Sequence, residues 1–190
     1  MHDFGYIKLK NNKFNVINVI KGVNGQHFVN INTDGVEIHL NDVVSIIVDE
    51  KNRDKTSKNH SVEHILEYVL NKNISSSIKQ AGAFKSSDYL TFDFNLPYKM
   101  SDEQIELVET KVNDMINEGI EVVTDLVTID EAKDRGAVAH FSEVYSKIKG
   151  KLRLVCMGSL KEICGGTHVC NLKNIEMFVI TKLISKGGGA

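Results

Sequence analysis

The sequence predicts an α+β fold in two parts, a small all-β unit followed by a larger unit in which helices and strands mix. Three observations carry this expectation. Between Lys13 and Glu50, short runs of Val, Ile and Phe are separated by NG, DG and ND turn signals. From His60 onward the apolar period turns helical. Beyond residue 100, strand-like and helix-like stretches follow one another without a regular β-α-β alternation, which argues against a parallel doubly wound sheet.

In order along the chain, "FNVINVI", "HFVNINT", "VEIHL" and "VVSIIVDE" read as β segments of the first unit, and the polar run "EKNRDKTSKN" reads as a linker. "HSVEHILEYVLNKN" places Val62, Ile65, Leu66, Val69 and Leu70 at helical spacing. "YLTFDFNL" alternates as a strand does. "SDEQIELVETKVNDMINEGI" opens with a capping box from Ser101 to Gln104 and sets Ile105, Val108, Val112, Met115 and Ile116 on one face, before Gly119 ends the helix. "EVVTDLV", "LRLVCMG" and "EMFVITKLI" read as strands, and "IDEAKDRG" as a short acidic helix. The boundary is expected near residue 54, giving units 1–54 and 55–190.

Composition narrows the function classes. With 42% hydrophobic and 25% charged residues the chain has the balance of an ordinary globular protein, and its longest apolar runs fall far short of the ~20 residues that span a bilayer. No secretory signal opens the sequence, so a cytoplasmic location without a membrane partner is expected. The odd cysteines Cys156, Cys164 and Cys170 argue against a disulfide framework and leave metal binding, catalysis or burial. The net charge of −2 conceals an asymmetry: residues 99–145 are dominated by Asp and Glu, whereas residues 146–190 carry eight Lys and Arg against Glu162 and Glu176. A basic end suits approach by a polyanion.

That basic end surrounds "ICGGTHV", in which Cys164 and His168 flank two glycines and a threonine. About a hundred residues upstream, His60 and His64 stand at i, i+4 and project from one helix face. Three imidazoles and one thiolate make a complete tetrahedral zinc shell by donor type. Gly165 and Gly166, having no Cβ, are expected to turn the backbone sharply and to present amides to a ligand, with Thr167 in the same loop.

These residues resemble a known family. "NHSVEHIL" is similar to the N-H-x-x-x-H-L-L segment, and "EICGGTHVCN" to the E-L-C-G-G-T-H-V segment, of the editing domain of alanyl-tRNA synthetase, shared with freestanding trans-editing proteins. "KQAGAF", "LTFDFN" and "EAKDRGAVAHFSEVY" agree with further segments in the same order, and the N-terminal β unit resembles the small barrel before that domain. The resemblance implies a small N-terminal β-barrel followed by an α+β editing domain, with a Zn2+ site between a helix and a strand-end loop, held by His60, His64, Cys164 and His168.

The activity it implies is hydrolysis of the ester in seryl- or glycyl-tRNA for alanine. A pocket discriminates against one methylene or hydroxyl by only ~10–200-fold, so a second, hydrolytic sieve is needed. Zinc would act as a Lewis acid or orient the substrate, although four protein donors fill a tetrahedral shell. The resemblance further implies Gln80 and Asp93 as catalytic residues, Gly165, Gly166 and Thr167 as substrate contacts, and the acceptor end of the alanine tRNA as partner.

Ala83, Thr91, Asn95 and Val144 depart from the family's usual serine, arginine, serine and lysine, which puts substrate specificity and hydrolytic strength in question. "HDFGYIK" resembles the end of a longer glycine-rich motif, and "ISKGGGA" the start of another, so the chain is expected to be a piece of a larger synthetase, with a divergent freestanding editor as the alternative. Two other functional readings stand beside editing: a non-catalytic zinc-stabilised tRNA-binding module and a threonyl-type editing domain.

Overall fold

The fold is that of a computed structural model, which describes residues 3–137 and 150–185. The chain divides into two compact units, residues 1–55 and 56–190. The first unit holds β1 (Gly5–Leu9), β2 (Asn12–Lys21), β3 (His27–Ile31) and β4 (Ser45–Val48), all antiparallel, in the order β3-β2-β1-β4. Its core side chains are Ile7, Leu9 and Phe14. β2 is the long element: its first half pairs with β1, its second half with β3, and a bulge between Val16 and Asn18 marks the handover.

The expected barrel does not close. Among the described residues no pairing joins β3 to β4, so the sheet is open at both edges. The expected strand at "VEIHL" is also missing, for a reason that lies in its flanks. Asp34 and Asn41 take positive φ, and the turns Val36 N to Thr33 O and Asp42 N to His39 O consume the segment in reversals. The DG and ND signals thus act within the segment they were expected to delimit.

The polar run expected as a linker is helical. α1 (Glu50–Asn73) begins at residue 50 because Asp49 caps it, its carboxylate accepting from Asn52 N at 3.0 Å. In the second unit, Val62, Ile65, Val69 and Leu70 of α1 and Val108, Val112 and Ile116 of α2 (Asp102–Glu118) belong to one buried core. Ile65, Val108 and Val112 are wholly inaccessible to solvent, and truncating a side chain so placed costs about 2–5 kcal/mol. α2 starts at the capping box of Ser101 and Gln104 and stops at Gly119, whose φ of 66° suits a residue without Cβ.

β5 (Gln80–Lys85) and β6 (Leu90–Phe94) form a hairpin. β7 (Val122–Val127), β8 (Leu152–Met157) and β9 (Leu160–Ile163) form an antiparallel sheet, with α3 (Ile129–Asp134) between β7 and β8 in sequence. Val155, Met157 and Leu160 join the α1–α2 core. Ile163 belongs to a second cluster with Val127, Ala132, Leu152 and Leu154, so the end of β9 is fixed by packing before the chain leaves it.

"EMFVITKLI" forms no strand and joins no sheet among the described residues. Side chains of α2 stand in for a neighbouring strand: Asn113 donates to Phe178 O and accepts from Phe178 N, and Glu109 accepts from Ile180 N. The departure at Val144 lies outside the described residues.

Candidate metal centre

α1 and the loop after β9 meet at four side chains. His60 and His64, one turn apart, face Cys164 and His168, and their donor atoms all lie within 4.8 Å of one another. The spacing is informative. His60 Nε2 is 3.3 Å from His64 Nε2, Cys164 Sγ is 3.5 Å from His60 Nε2, and His168 Nε2 is 3.4 Å from Cys164 Sγ. A tetrahedron built on zinc–nitrogen and zinc–sulfur bond lengths has edges of about 3.3–3.6 Å. Three of the donor pairs thus stand at the edge length of one metal shell and the four donors converge within 4.8 Å, so the residues present fit a metal ion.

Each imidazole is also held from behind. His60 Nδ1 donates to Thr167 O at 3.1 Å, His64 Nδ1 pairs with the buried carboxylate of Glu162, and His168 Nδ1 lies 3.2 Å from Ser61 Oγ. A carbonyl and a carboxylate can only accept, so Nδ1 carries the proton on His60 and His64 and Nε2 is left to bind an ion. Such outer partners fix ring orientation in metal sites. Ser61 is fully buried and also accepts from Val169 N at 3.2 Å, which locks the loop to the helix.

The loop owes its shape to Arg153 of β8. Its carbonyl accepts from Cys164 N at 3.0 Å, and its guanidinium donates to Cys164 O at 3.4 Å and to Gly166 O. The two glycines act differently from the expectation of a sharp turn, since neither has positive φ. A Cβ on Gly166 would run into the His60 ring, so this glycine permits close approach, whereas a Cβ on Gly165 would meet open space. The amide of Gly166 is engaged by Cys164 Sγ at 3.4 Å.

The cluster is charged in a defined way. Burial would push the Cys164 thiol up, but hydrogen bonds from His168, His60 and His64 outweigh it and bring it down to about 3. Burial likewise would push His64 down, yet Cys164 and Glu162 together raise it to about 10. His168 is lowered to about 4, chiefly by burial, with the neighbouring histidines adding and Cys164 opposing. Without metal the centre thus holds a thiolate beside a His64 imidazolium.

The remaining expected residues are placed less tightly. Gln80 is half-buried at the start of β5, pairing with Phe94, and Asp93 is exposed on β6 opposite Gly82. The end of β5 that reaches α1 is the other one: Lys85 pairs with Glu63, and Asn59 donates to Ser86 O. At ~3.3 Å per residue Gln80 stands some five strand residues away. Thr167 contributes through its carbonyl.

Sequence reasoning missed Ser61, Glu63, Lys85, Arg153 and Glu162. Glu162 had a visible signal, since it lies two residues before Cys164 and so shares the strand face that leads to it. Arg153 and Lys85 had none, because their partners depend on tertiary contacts.

Comparison with known proteins agrees with this geometry. Residues 152–190, which contain Cys164 and His168, match the family described as the threonyl and alanyl tRNA synthetase second additional domain. Along its whole length the chain is 37% identical to an alanine–tRNA ligase of Ureaplasma parvum, of which it covers 21%. It is 41% identical to that of Mycoplasmoides gallisepticum over 98% of the chain and 21% of the relative, and 42% identical to that of Acholeplasma laidlawii over 92% and 20%. The chain spans about a fifth of the length of these curated relatives. The likeness read from the histidine helix and the CGGTH loop is thus matched by these relatives: the chain is similar to about a fifth of the length of alanine–tRNA ligases.

Proposed function

We propose that this chain, kin to the alanine–tRNA ligases, is a hydrolytic editing module that removes serine or glycine from mischarged alanine tRNA, with one Zn2+ held by His60, His64, Cys164 and His168. The observation that carries the reading is the convergence of the four donors within 4.8 Å, three of their pairs at the edge length of a tetrahedral shell. When bound, zinc supplies Lewis-acid polarisation of the ester. His60, His64 and His168 present Nε2 because Thr167, Glu162 and Ser61 occupy Nδ1, so the shell is organised before the ion arrives. The loop Gly165–Gly166–Thr167 borders the centre and is assigned the substrate's carbonyl side. Gln80 and Asp93 are assigned to the hydrolytic step. Residues 55–190 form the editing part and residues 1–54 its flanking β unit.

In this reading the acceptor end of the alanine tRNA is the partner, the chain works as part of a longer synthetase, and the location is cytoplasmic. Among the described residues no helix is long and apolar enough to cross a membrane. A second reading, a zinc-stabilised tRNA-binding module without catalysis, is favoured by one observation: four protein donors fill a tetrahedral shell, and the Gly166 amide is already engaged by Cys164. A threonyl-type editing domain shares the matched family but differs in its tRNA.

Deacylation assays separate the three. The zinc-loaded chain, at low salt because phosphate contacts weaken steeply with salt, is expected to release serine or glycine from alanine tRNA faster than alanine. Gln80→Ala should slow release at least tenfold with zinc retained, and Cys164→Ala should lose both. Full zinc in Cys164→Ala would disprove the shell. Zinc-loaded chain without any release favours the binding module, and release only from serine-charged threonine tRNA favours the threonyl-type domain.

A further inference from the structure

We propose that Glu63 is the acceptor for a protonated primary amine on the molecule that docks at the metal centre. The substrate class, an aminoacyl ester with a free α-ammonium, rests on the editing reading above. Glu63 lies between His60 and His64 on α1 and is 4% exposed. Its Oε2 stands 3.8 Å from one donor, His60 Nε2, yet it is not among the four convergent donors.

Nor does Glu63 orient a ligand. The Nδ1 atoms of all three histidines already have other partners, and Glu63 approaches His60 from the Nε2 side, where an ion and its ligand belong. The other carboxylate touching the histidines, Glu162, sits behind His64 on Nδ1. A buried carboxylate is costly unless paired. Here its partner is Lys85, which is itself a primary ammonium.

That partner is the most telling part of the site. The resting chain already seats an –NH3+ on Glu63 beside the centre, and the seat can be vacated, because the Lys85 side chain is 23% exposed and its head can turn to water. Three neutral imidazoles, one thiolate and a divalent ion sum to one positive charge, which Glu162 offsets from behind His64, whereas on the Nε2 side the carboxylate that meets an approaching amine is Glu63. Exchange of one ammonium for another leaves the number of buried charges unchanged.

The test uses the full chain loaded with Co2+, titrated calorimetrically with L-serinamide and with N-acetyl-L-serinamide, which lacks the ammonium. The wild-type chain is expected to bind serinamide about tenfold or more tightly than its acetylated form, the range of a hydrogen bond between charged groups. Glu63→Gln should erase that preference while one metal ion per chain remains. Lys85→Met, which removes the competing ammonium, should tighten serinamide binding several-fold.

The proposal is overturned if the wild-type chain shows no amine preference or binds neither compound, or if Glu63→Gln keeps the preference. It is equally overturned if that variant changes the cobalt absorption before any ligand is added, since Glu63 would then be a metal donor. Should Glu63→Gln not fold, Lys85→Met decides alone, and unchanged serinamide affinity sinks the idea. Deacylation of mischarged tRNA by a chain without amine preference would defeat this inference and leave the editing reading standing. Amine preference without deacylation would do the reverse.

Discussion

At Cys164 and His64 the protonation state of single residues sets what metal binding must displace. In the metal-free chain the thiol is held down to about 3 and His64 raised to about 10, so near pH 7.5 the first is already a thiolate and the second still an imidazolium. His168, lowered to about 4, is neutral there. Metal ligands bind deprotonated. Loading zinc at pH 7.5 is therefore expected to release about one proton per chain, from His64 and not from Cys164, measurable from the dependence of binding enthalpy on buffer ionisation heat. The sign follows from the shifts: below pH 4, protonation of His168 and then Cys164 competes with the ion, and above pH 10 no proton leaves His64. Release of two protons at pH 7.5 would mean that Cys164 rests as a thiol.

Among the elements, the segment after the short 3-10 turn Leu172–Ile175 shows how a side chain can replace a strand. Asn113 meets both the donor and the acceptor of Phe178, with distances of 2.8 and 2.9 Å, and adds a bond to Glu109 O of its own helix. Asn113→Ala removes both bonds and leaves two backbone groups to find water. A loss of about 1–3 kcal/mol is expected, read from the urea midpoint, together with faster amide exchange at Phe178 and Ile180. An unchanged midpoint would show the segment to be held by packing alone.

The same segment explains a limit of sequence reading. "EMFVITKLI" is rich in strand-favouring residues and was expected as a strand, but it pairs with none among the described residues, because its hydrogen-bonding partner is Asn113, some 65 residues away. The polar run before His60 failed for a local reason: Asp49 was read as the end of a strand when it is the cap of a helix. Open or closed geometry of the first sheet was not legible either, since closure depends on two edges whose spacing no local pattern encodes. The helices, by contrast, announced themselves, α1 through the period of Val62–Leu70 alone and α2 through Ser101–Ile116, where period and caps agree. That His60, His64, Cys164 and His168 would converge was legible because their chemistry is rare and their spacing repeats in two places.

For the whole molecule, the centre ties α1 to the loop after β9, and its occupancy bears on stability as well as chemistry. An ion that binds only the folded chain stabilises it by about 4 kcal/mol when free metal is a thousandfold above its dissociation constant. Chelation is expected to lower the melting temperature of the zinc-loaded chain, and Cys164→Ala to melt at one temperature with or without chelator. If chelation left the wild-type melting unchanged, the ion would have no structural role.

The two halves of the centre also differ in when they come into existence. Cys164 follows His60 by 104 positions, and a ribosome adding about 5–20 residues per second needs roughly 5–20 s to travel between them. During that interval the nascent chain offers an ion only two imidazoles, a weak chelate that free thiols and other proteins outcompete. An ion that needs all four donors would therefore be captured late in synthesis, once β8 and β9 have emerged and Arg153 can hold the loop.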